Sequence, residues 1–219
     1  MKHLLLIFVA QICMLRMQAQ HFAISNDKMN VVYIGVDNPI TIAVENWPCN
    51  KLVVKVNNGT ITGSNCKFIY RGTEPGATNI VVFKKTAKVL KVIGYYSFRV
   101  KRLPAPVFKI GHYASNYSNG NEKTVQKIVL AAQQFVRADL ENFDIDVKYW
   151  IDSFSVKIFY SDSAKVKTFF NITGKISQEL SEGFSVLKKD DIVVFHKIFA
   201  KGPDGLQYEL NPLILTINK

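Results

Sequence analysis

Apolar residues recur mostly at every second position, the period of a half-buried strand. From Lys28 to Arg102 the pattern comes in short runs punctuated by turn residues. Residues 29–36 are apolar and are broken by Asp37-Asn38-Pro39; residues 40–44 alternate; residues 52–56 follow a Pro-containing connection and end at Asn57-Asn58-Gly59, a hairpin-type turn. Cys66, Phe68 and Tyr70 share one expected strand face, with Lys67 and Arg71 opposite. After Thr73-Glu74-Pro75-Gly76 come residues 80–83, residues 89–93, and Phe98 and Val100 alternating with Arg99 and Lys101. About seven short strands in about 80 residues predict an immunoglobulin-like β-sandwich over residues 26–102.

Leu103-Pro104-Ala105-Pro106 is the expected boundary, because two prolines favour extended backbone and cannot continue a sheet interior. A polar loop, residues 112–121, follows. Val125, Ile128, Val129 and Ala132 then hold the i, i+3, i+4, i+7 spacing of one short helix, with Asn121 as N-cap and Glu122 suiting its positive start. Beyond it the period returns to two. Phe154, Val156, Ile158 and Tyr160 mark one face of a long strand, and residues 166–172, 192–199 and 206–217 are further strands. Gly202-Pro203-Asp204-Gly205 is a turn that joins the last two as a hairpin. Residues 103–219 are therefore expected to be mixed α+β, mostly antiparallel, and the chain as a whole mainly β.

The first 19 residues stand outside this pattern. Lys2 gives a positive start, residues 4–15 are apolar apart from Gln11, and Ala19 offers a small residue for cleavage. This reads as a secretory signal peptide; the run is shorter than the roughly 20 residues a spanning helix needs. Its removal takes Lys2 and Arg16 and lowers the net charge from +11 to +9. It also leaves two cysteines, Cys49 and Cys66, in a compartment where disulfides persist. A bridge between them is the favoured expectation, with two free thiols the alternative that spacing alone leaves open.

Candidate chemistry is sparse. His21, His112 and His196 lack metal-ligand spacing, and His196 inside Val193-Val194-Phe195-His196 reads as an exposed strand-face histidine. Asp144 and Asp146 would share a strand face, but the glycine and glutamate of a calcium loop are missing. Asp190-Asp191 after Lys188-Lys189 reads as a charged turn. No Gly-x-Ser-x-Gly, P-loop, dinucleotide or zinc-protease motif is present. No catalytic residue, metal site or cofactor is expected. The basic residues are spread, densest at Lys84, Lys85, Lys88 and Lys91, and nucleic acid is not an expected partner of an exported chain.

Some stretches are more specific. Asp27-Lys28-Met29-Asn30-Val31-Val32-Tyr33-Ile34-Gly35-Val36-Asp37-Asn38-Pro39-Ile40, Asn57-Asn58-Gly59-Thr60-Ile61, and Phe98-Arg99-Val100-Lys101 before Leu103-Pro104-Ala105-Pro106 resemble the GldM/PorM family of gliding-motility and type IX secretion proteins. So do Leu140-Glu141-Asn142-Phe143-Asp144-Ile145-Asp146, Val156-Lys157-Ile158 and Gly202-Pro203-Asp204-Gly205. The resemblance runs from about residue 26 to the end. It implies an inner-membrane-anchored, dimeric periplasmic shaft in certain Gram-negative bacteria. The shaft's last two domains are an immunoglobulin-like sandwich and a mixed domain reaching toward an outer-membrane-associated ring. This chain reads as those two domains behind a signal peptide, with no transmembrane segment in the mature chain.

The expectation is thus a non-enzymatic periplasmic or secreted protein-binding or scaffold module. Its expected partners are envelope proteins such as the outer-membrane-associated ring or secretion components, with homodimerisation a further expectation. The loop residues Tyr113, Asn116, Tyr117 and Asn119 and the turn residues Pro203 and Asp204 are candidate contacts, because exposed loops on rigid scaffolds often carry binding. Two alternatives stay open. One is a module for envelope polysaccharide or anionic lipid, suggested by the +9 charge and by Tyr113, Tyr117 and Trp150. The other is a secreted hydrolase, which would need a pocket of converging polar groups.

Overall fold

The structure, a computed structural model, describes residues 29–87, 89–115 and 123–218. The expected signal peptide, residues 1–19, lies outside the described residues, as do Asn121 and Glu122. The chain is mainly β, as the alternation predicts, with several sheets and two short helices.

Seven strands build the first half: β1 Val31–Tyr33, β2 Asn38–Thr41, β3 Leu52–Val56, β4 Thr60–Ser64, β5 Lys67–Arg71, β6 Gly76–Lys85 and β7 Leu90–Lys101. They form one sheet of order β1-β7-β6-β3 and a second of order β2-β5-β4. β1 runs parallel to β7 and the other pairs are antiparallel. The shared core is small: Val32, Ile34, Tyr70 and Val100, with Ile40, Val56 and Phe98 against it. Tyr70 is fully buried, and its hydroxyl donates to the Asn58 carbonyl at 2.8 Å, so the aromatic ring is buried with its polar end satisfied. Asn38 is also buried. Its amide accepts from the Tyr33 N–H and donates to the Tyr33, Val36 and Tyr70 carbonyls, which fixes the bend between β1 and β2.

Three local expectations change. Asn57-Asn58-Gly59 is not a hairpin turn, since β3 and β4 belong to different sheets. It is the corner where the chain crosses between them. Asn57 Oδ1 accepts the Asn79 N–H at 2.7 Å and Asn58 Nδ2 donates to the Glu74 carbonyl at 2.9 Å, so side-chain amides replace the ladder bonds a hairpin would supply. The actual two-residue hairpin turn is Asn65-Cys66, between the paired Ser64 and Lys67, with φ of 54° and 66°. Both values suit a type I′ turn. Cys66 therefore sits in a turn rather than on the strand face of Phe68 and Tyr70. Finally, residues 89–93 and 98–100 fall in or beside one continuous strand, β7, which Gly94 does not interrupt.

The second half contains β8 Val107–Ile110, β9 Tyr113–Ala114, β10 Lys123–Val125, α1 Lys127–Ala131, β11 Val136–Asp139, β12 Trp150–Phe159, β13 Val166–Ile172, α2 Gln178–Ser185, β14 Ile192–Lys201, β15 Gln207–Leu210 and β16 Leu213–Ile217. The main sheet has the order β10-β16-β14-β12-β13, and β11-β8-β9 is a smaller one. One face of the main sheet buries Phe154, Val156, Ile158, Phe169, Val193 and Phe195. Phe195 is the hub, with the rings of Phe108, Phe154 and Phe184 at 5.4, 6.2 and 6.2 Å.

The helical spacing is misplaced. Val125 lies in β10, parallel to β16, and α1 is only five residues long with no side-chain cap. Ile128 points outward and Leu130 inward, so burial does not follow the predicted stripe. The better-formed helix is α2, in a stretch to which the sequence reading assigns no element. Ser177 caps it by accepting the Leu180 N–H at 3.3 Å, Glu179 lies in its first turn, and Leu180 and Phe184 go inward at i, i+4. Gly183 lets it approach the sheet, since a Cβ there would lie 2.7 Å from the Phe169 ring.

β15 and β16 pair with β14 in one shared register, Ile198↔Leu210 and Phe195↔Leu213, so Asn211-Pro212 interrupts a single long hairpin. Lys197, at φ 49°, bulges opposite that interruption. The bulge shifts the parity, which is why Val193 and Phe195 but then Ile198 and Ala200 all face inward. His196 beside it is half-buried, not exposed, and its Nε2 has no partner among the described residues. Asp144 and Asp146 lie in an irregular segment, not a strand. Asp191 is wholly buried rather than in a solvated turn: its carboxylate accepts the N–H groups of Ser161 and Lys188 and the Ser161 hydroxyl at 2.7–2.9 Å.

Candidate interaction surface

The expected loop contacts are placed differently from one another. Asn116, Tyr117 and Asn119 lie outside the described residues. Tyr113 is in β9, half-buried against the large core, with its ring 4.0 Å from that of His112. Pro203 and Asp204 are half-buried in the β14–β15 turn. Asp204 accepts the Tyr208 hydroxyl at 2.6 Å and the Leu206 N–H at 3.1 Å.

That turn belongs to a joint between the two halves. A Cβ on Gly35 would lie 2.4 Å from the Asp204 amide nitrogen, so only glycine permits the approach. Tyr33 meets Phe143 edge-on at 5.0 Å, and the Tyr149 hydroxyl donates to the Pro104 carbonyl at 2.9 Å. Burial, with the Asp204 carboxylate nearby, pushes the Tyr149 phenol up to about 12. Burial and the hydrogen bond to Asp204 push Tyr208 up as well. Both phenols stay protonated and work as hydrogen-bond donors. Leu103 of the Pro-rich crossing is buried in the second core.

The open surface is the other face of the main sheet. Register places its side chains in rows. Thr216, Ile192, Phe159 and Val166 make one; Ile214, Val194, Lys157 and Thr168 the next; His196, Ser155 and Phe170 a third. Ile192, Ile214, Phe159, Val166, Phe170 and Ile172 are all exposed, with Phe170 at 68% and Ile172 at 74%. Exposed apolar residues gathered on one sheet face, here parted by Lys157 and Thr168, are a mark of interaction sites in soluble proteins. Its sequence signal was Phe169-Phe170: adjacent strand residues face opposite ways, so with Phe169 buried Phe170 must be outside.

At the edge of this face, beside β13, runs a groove of about 880 Å³ lined by Gln133, Gln134, Phe170, Asn171, Ile172 and Lys175, among others. Asn171 is buried. Its Oδ1 accepts the Ser177 N–H at 2.9 Å, and its Nδ2 has no partner among the described residues. Among the described residues no cluster of three or more His, Cys, Asp or Glu is placed to hold a metal, and no helix is long and apolar enough to cross a membrane.

Fold and surface together define a mainly β protein with two successive sheet assemblies and one apolar sheet face. Residues 21–101 match the GldM third domain and residues 104–218 match the GldM C-terminal domain. The chain therefore belongs to the GldM family. Membership implies a structural component of the gliding-motility and type IX secretion machinery, not an enzyme family, located in a Gram-negative envelope. No curated protein matches the sequence.

Proposed function

We propose that the chain is a periplasmic protein-docking module that binds a component of the secretion or gliding machinery, such as the outer-membrane-associated ring. The observation that carries this reading is the apolar outer face of the main sheet. Burying a few aliphatic and aromatic side chains there would supply the desolvated centre that stable protein contacts need. Asn116, Tyr117 and Asn119 would add polar contacts, and Pro203 and Asp204 would contribute through the joint they stiffen. Homodimerisation through the same face is part of the proposal.

The test is a crosslinking pull-down of the tagged chain from its native envelope, compared with a Phe159→Asp/Val166→Asp variant. Recovery of secretion components by the first and not the second supports the reading. Equal recovery by both would remove this face from consideration.

A second reading rests on a different place. The β6–β7 hairpin carries Lys84, Lys85 and Lys91 among exposed Leu90, Val92, Ile93 and Tyr95, a pattern suited to an anionic lipid surface. Vesicles of anionic lipid should then sediment with the protein in low salt and release it as salt rises; salt-independent or absent binding would end that reading.

A further inference from the structure

We propose that the free edge of β13 captures an extended segment of a partner protein as an added strand. The inference rests on the docking reading above and names the form its partner takes. Among the described residues β13 ends the main sheet and pairs only with β12. Which of its main-chain groups face outward follows from a single bond: the Thr173 N–H donates to the Asp152 carbonyl at 2.8 Å, so Thr173 faces β12. Main-chain direction alternates along an antiparallel strand. Lys167, Phe169 and Asn171 therefore also face β12, and Thr168, Phe170 and Ile172 present their N–H and C=O groups to the open side.

Beyond β13 the chain bends at Thr173, whose φ is 69°, and then makes a short strand pairing of its own. The Gly174 carbonyl accepts the Val136 N–H at 2.8 Å, and the Ile176 N–H donates to the Gln134 carbonyl at 2.9 Å, around an antiparallel bridge between Phe135 and Lys175. Residues 134–136 thus act as a short added strand on residues 174–176. At Ile172, Phe170 and Thr168 the outward main-chain groups have no main-chain partner among the described residues. The groove lined by Gln133, Gln134, Phe170 and Ile172 occupies that position. An incoming strand lying there would extend the main sheet by one strand beyond β13.

The two faces of that strand meet different surfaces. On one side it meets exposed Phe170 and Ile172, so alternate residues should be aliphatic or aromatic. On the other it meets Lys175 and the Gln178 and Ser181 positions of α2, so the residues between should be polar. Lys167 is already held by Glu179 at 3.2 Å. The net charge, +9 once the expected signal peptide is removed, favours an acidic partner. Main-chain bonds then give affinity and the Phe170 and Ile172 stripe gives specificity, the division usual for strand addition.

The probe is a capped peptide of about eight residues, a common strand length, with alternating valine and threonine and a glutamate at each end. Two further versions carry N-methyl groups on alternate amides, one version on the odd positions and one on the even. Binding is read by fluorescence anisotropy, and amide exchange of the intact protein by NMR. The expected result is that one N-methyl version weakens by about tenfold or more while the other binds like the parent, because only one set of amides faces β13. The amides of Thr168, Phe170 and Ile172 should slow in exchange on binding, and those of Phe169 and Asn171 should change little. Equal binding by both N-methyl versions, or no slowing at those three amides, overturns the proposal. So does concentration-dependent slowing without peptide, which would assign the edge to a second copy. If the Phe159→Asp/Val166→Asp variant loses its envelope partners but the peptide fails, the docking reading stands and strand addition falls. If the peptide result holds while the pull-down recovers nothing, strand addition stands and the machinery reading falls.

Discussion

The Cys49–Cys66 bond links the turn entering β3 in one sheet to the β4–β5 hairpin of the other, with Cα atoms 5.0 Å apart. It spans a sandwich whose main buried cluster is small, so its removal should be felt. The perturbation is Cys49→Ser with Cys66→Ser. The bond closes a loop of sequence separation 17. Loop-closure entropy for that length gives about 3 kcal/mol of stability, through restriction of the unfolded chain. Urea unfolding followed by tryptophan fluorescence measures it. If residues 31–218 unfold together, the melting temperature should fall by about 6–12 °C. If the first half unfolds alone the fall should be larger, because less enthalpy resists it. A reductant should lower the native protein to the level of the variant and leave the variant unmoved. A loss below about 1 kcal/mol, or equal effects of reductant on both proteins, would refute the reasoning.

Other substitutions test other parts. Asp191→Ala leaves two N–H groups and a hydroxyl without their buried acceptor and should cost about 3 kcal/mol or more, read by denaturant titration. Gly35→Ala combines a φ of +83° with a 2.4 Å approach to the Asp204 backbone; a loss of about 2–4 kcal/mol is expected in thermal melts, and an unchanged melt would deny the close approach. Burial, helped by Lys157 and Lys197, holds the His196 imidazole below its ordinary 6.5. The unfolded chain therefore binds the proton more readily, so stability present above pH 6.5 should decline as pH falls through 6.5 toward the folded value. His196→Phe should flatten that slope; an unchanged slope would point to other groups.

The strand content was legible because alternation is a direct imprint of one-sided burial. The match of residues 166–172 to β13 shows how far that reaches. What failed has identifiable causes. Asn57-Asn58-Gly59 has the composition of a hairpin turn, but turn chemistry does not say whether the next strand stays in the sheet. Cys66 occupies a left-handed turn position that its residue type does not advertise. Helix α2 was hidden because Ser181, Gly183 and Ser185 are weak helix formers, and tertiary contact of Leu180 and Phe184 outweighs their propensity. The apolar outer face of the main sheet was written in Phe169-Phe170. The outward main-chain row on β13 was not legible, because which groups face the free edge depends on register and not on side chains. The Asp204 turn looked like a free loop, since nothing local shows that Gly35 will lie against it.

The joint of Gly35 with Asp204, Tyr33 with Phe143 and Tyr149 with Pro104 has a mechanical meaning. A single proline-rich tether transmits tension but lets the parts swivel. Two contacts beside the tether, and a third that pins the tether itself to the second half, also resist bending and twisting. A push or torque applied to one half would therefore reach the apolar sheet face on the other with little lost at the crossing, so the pair behaves as a strut rather than as beads on a string.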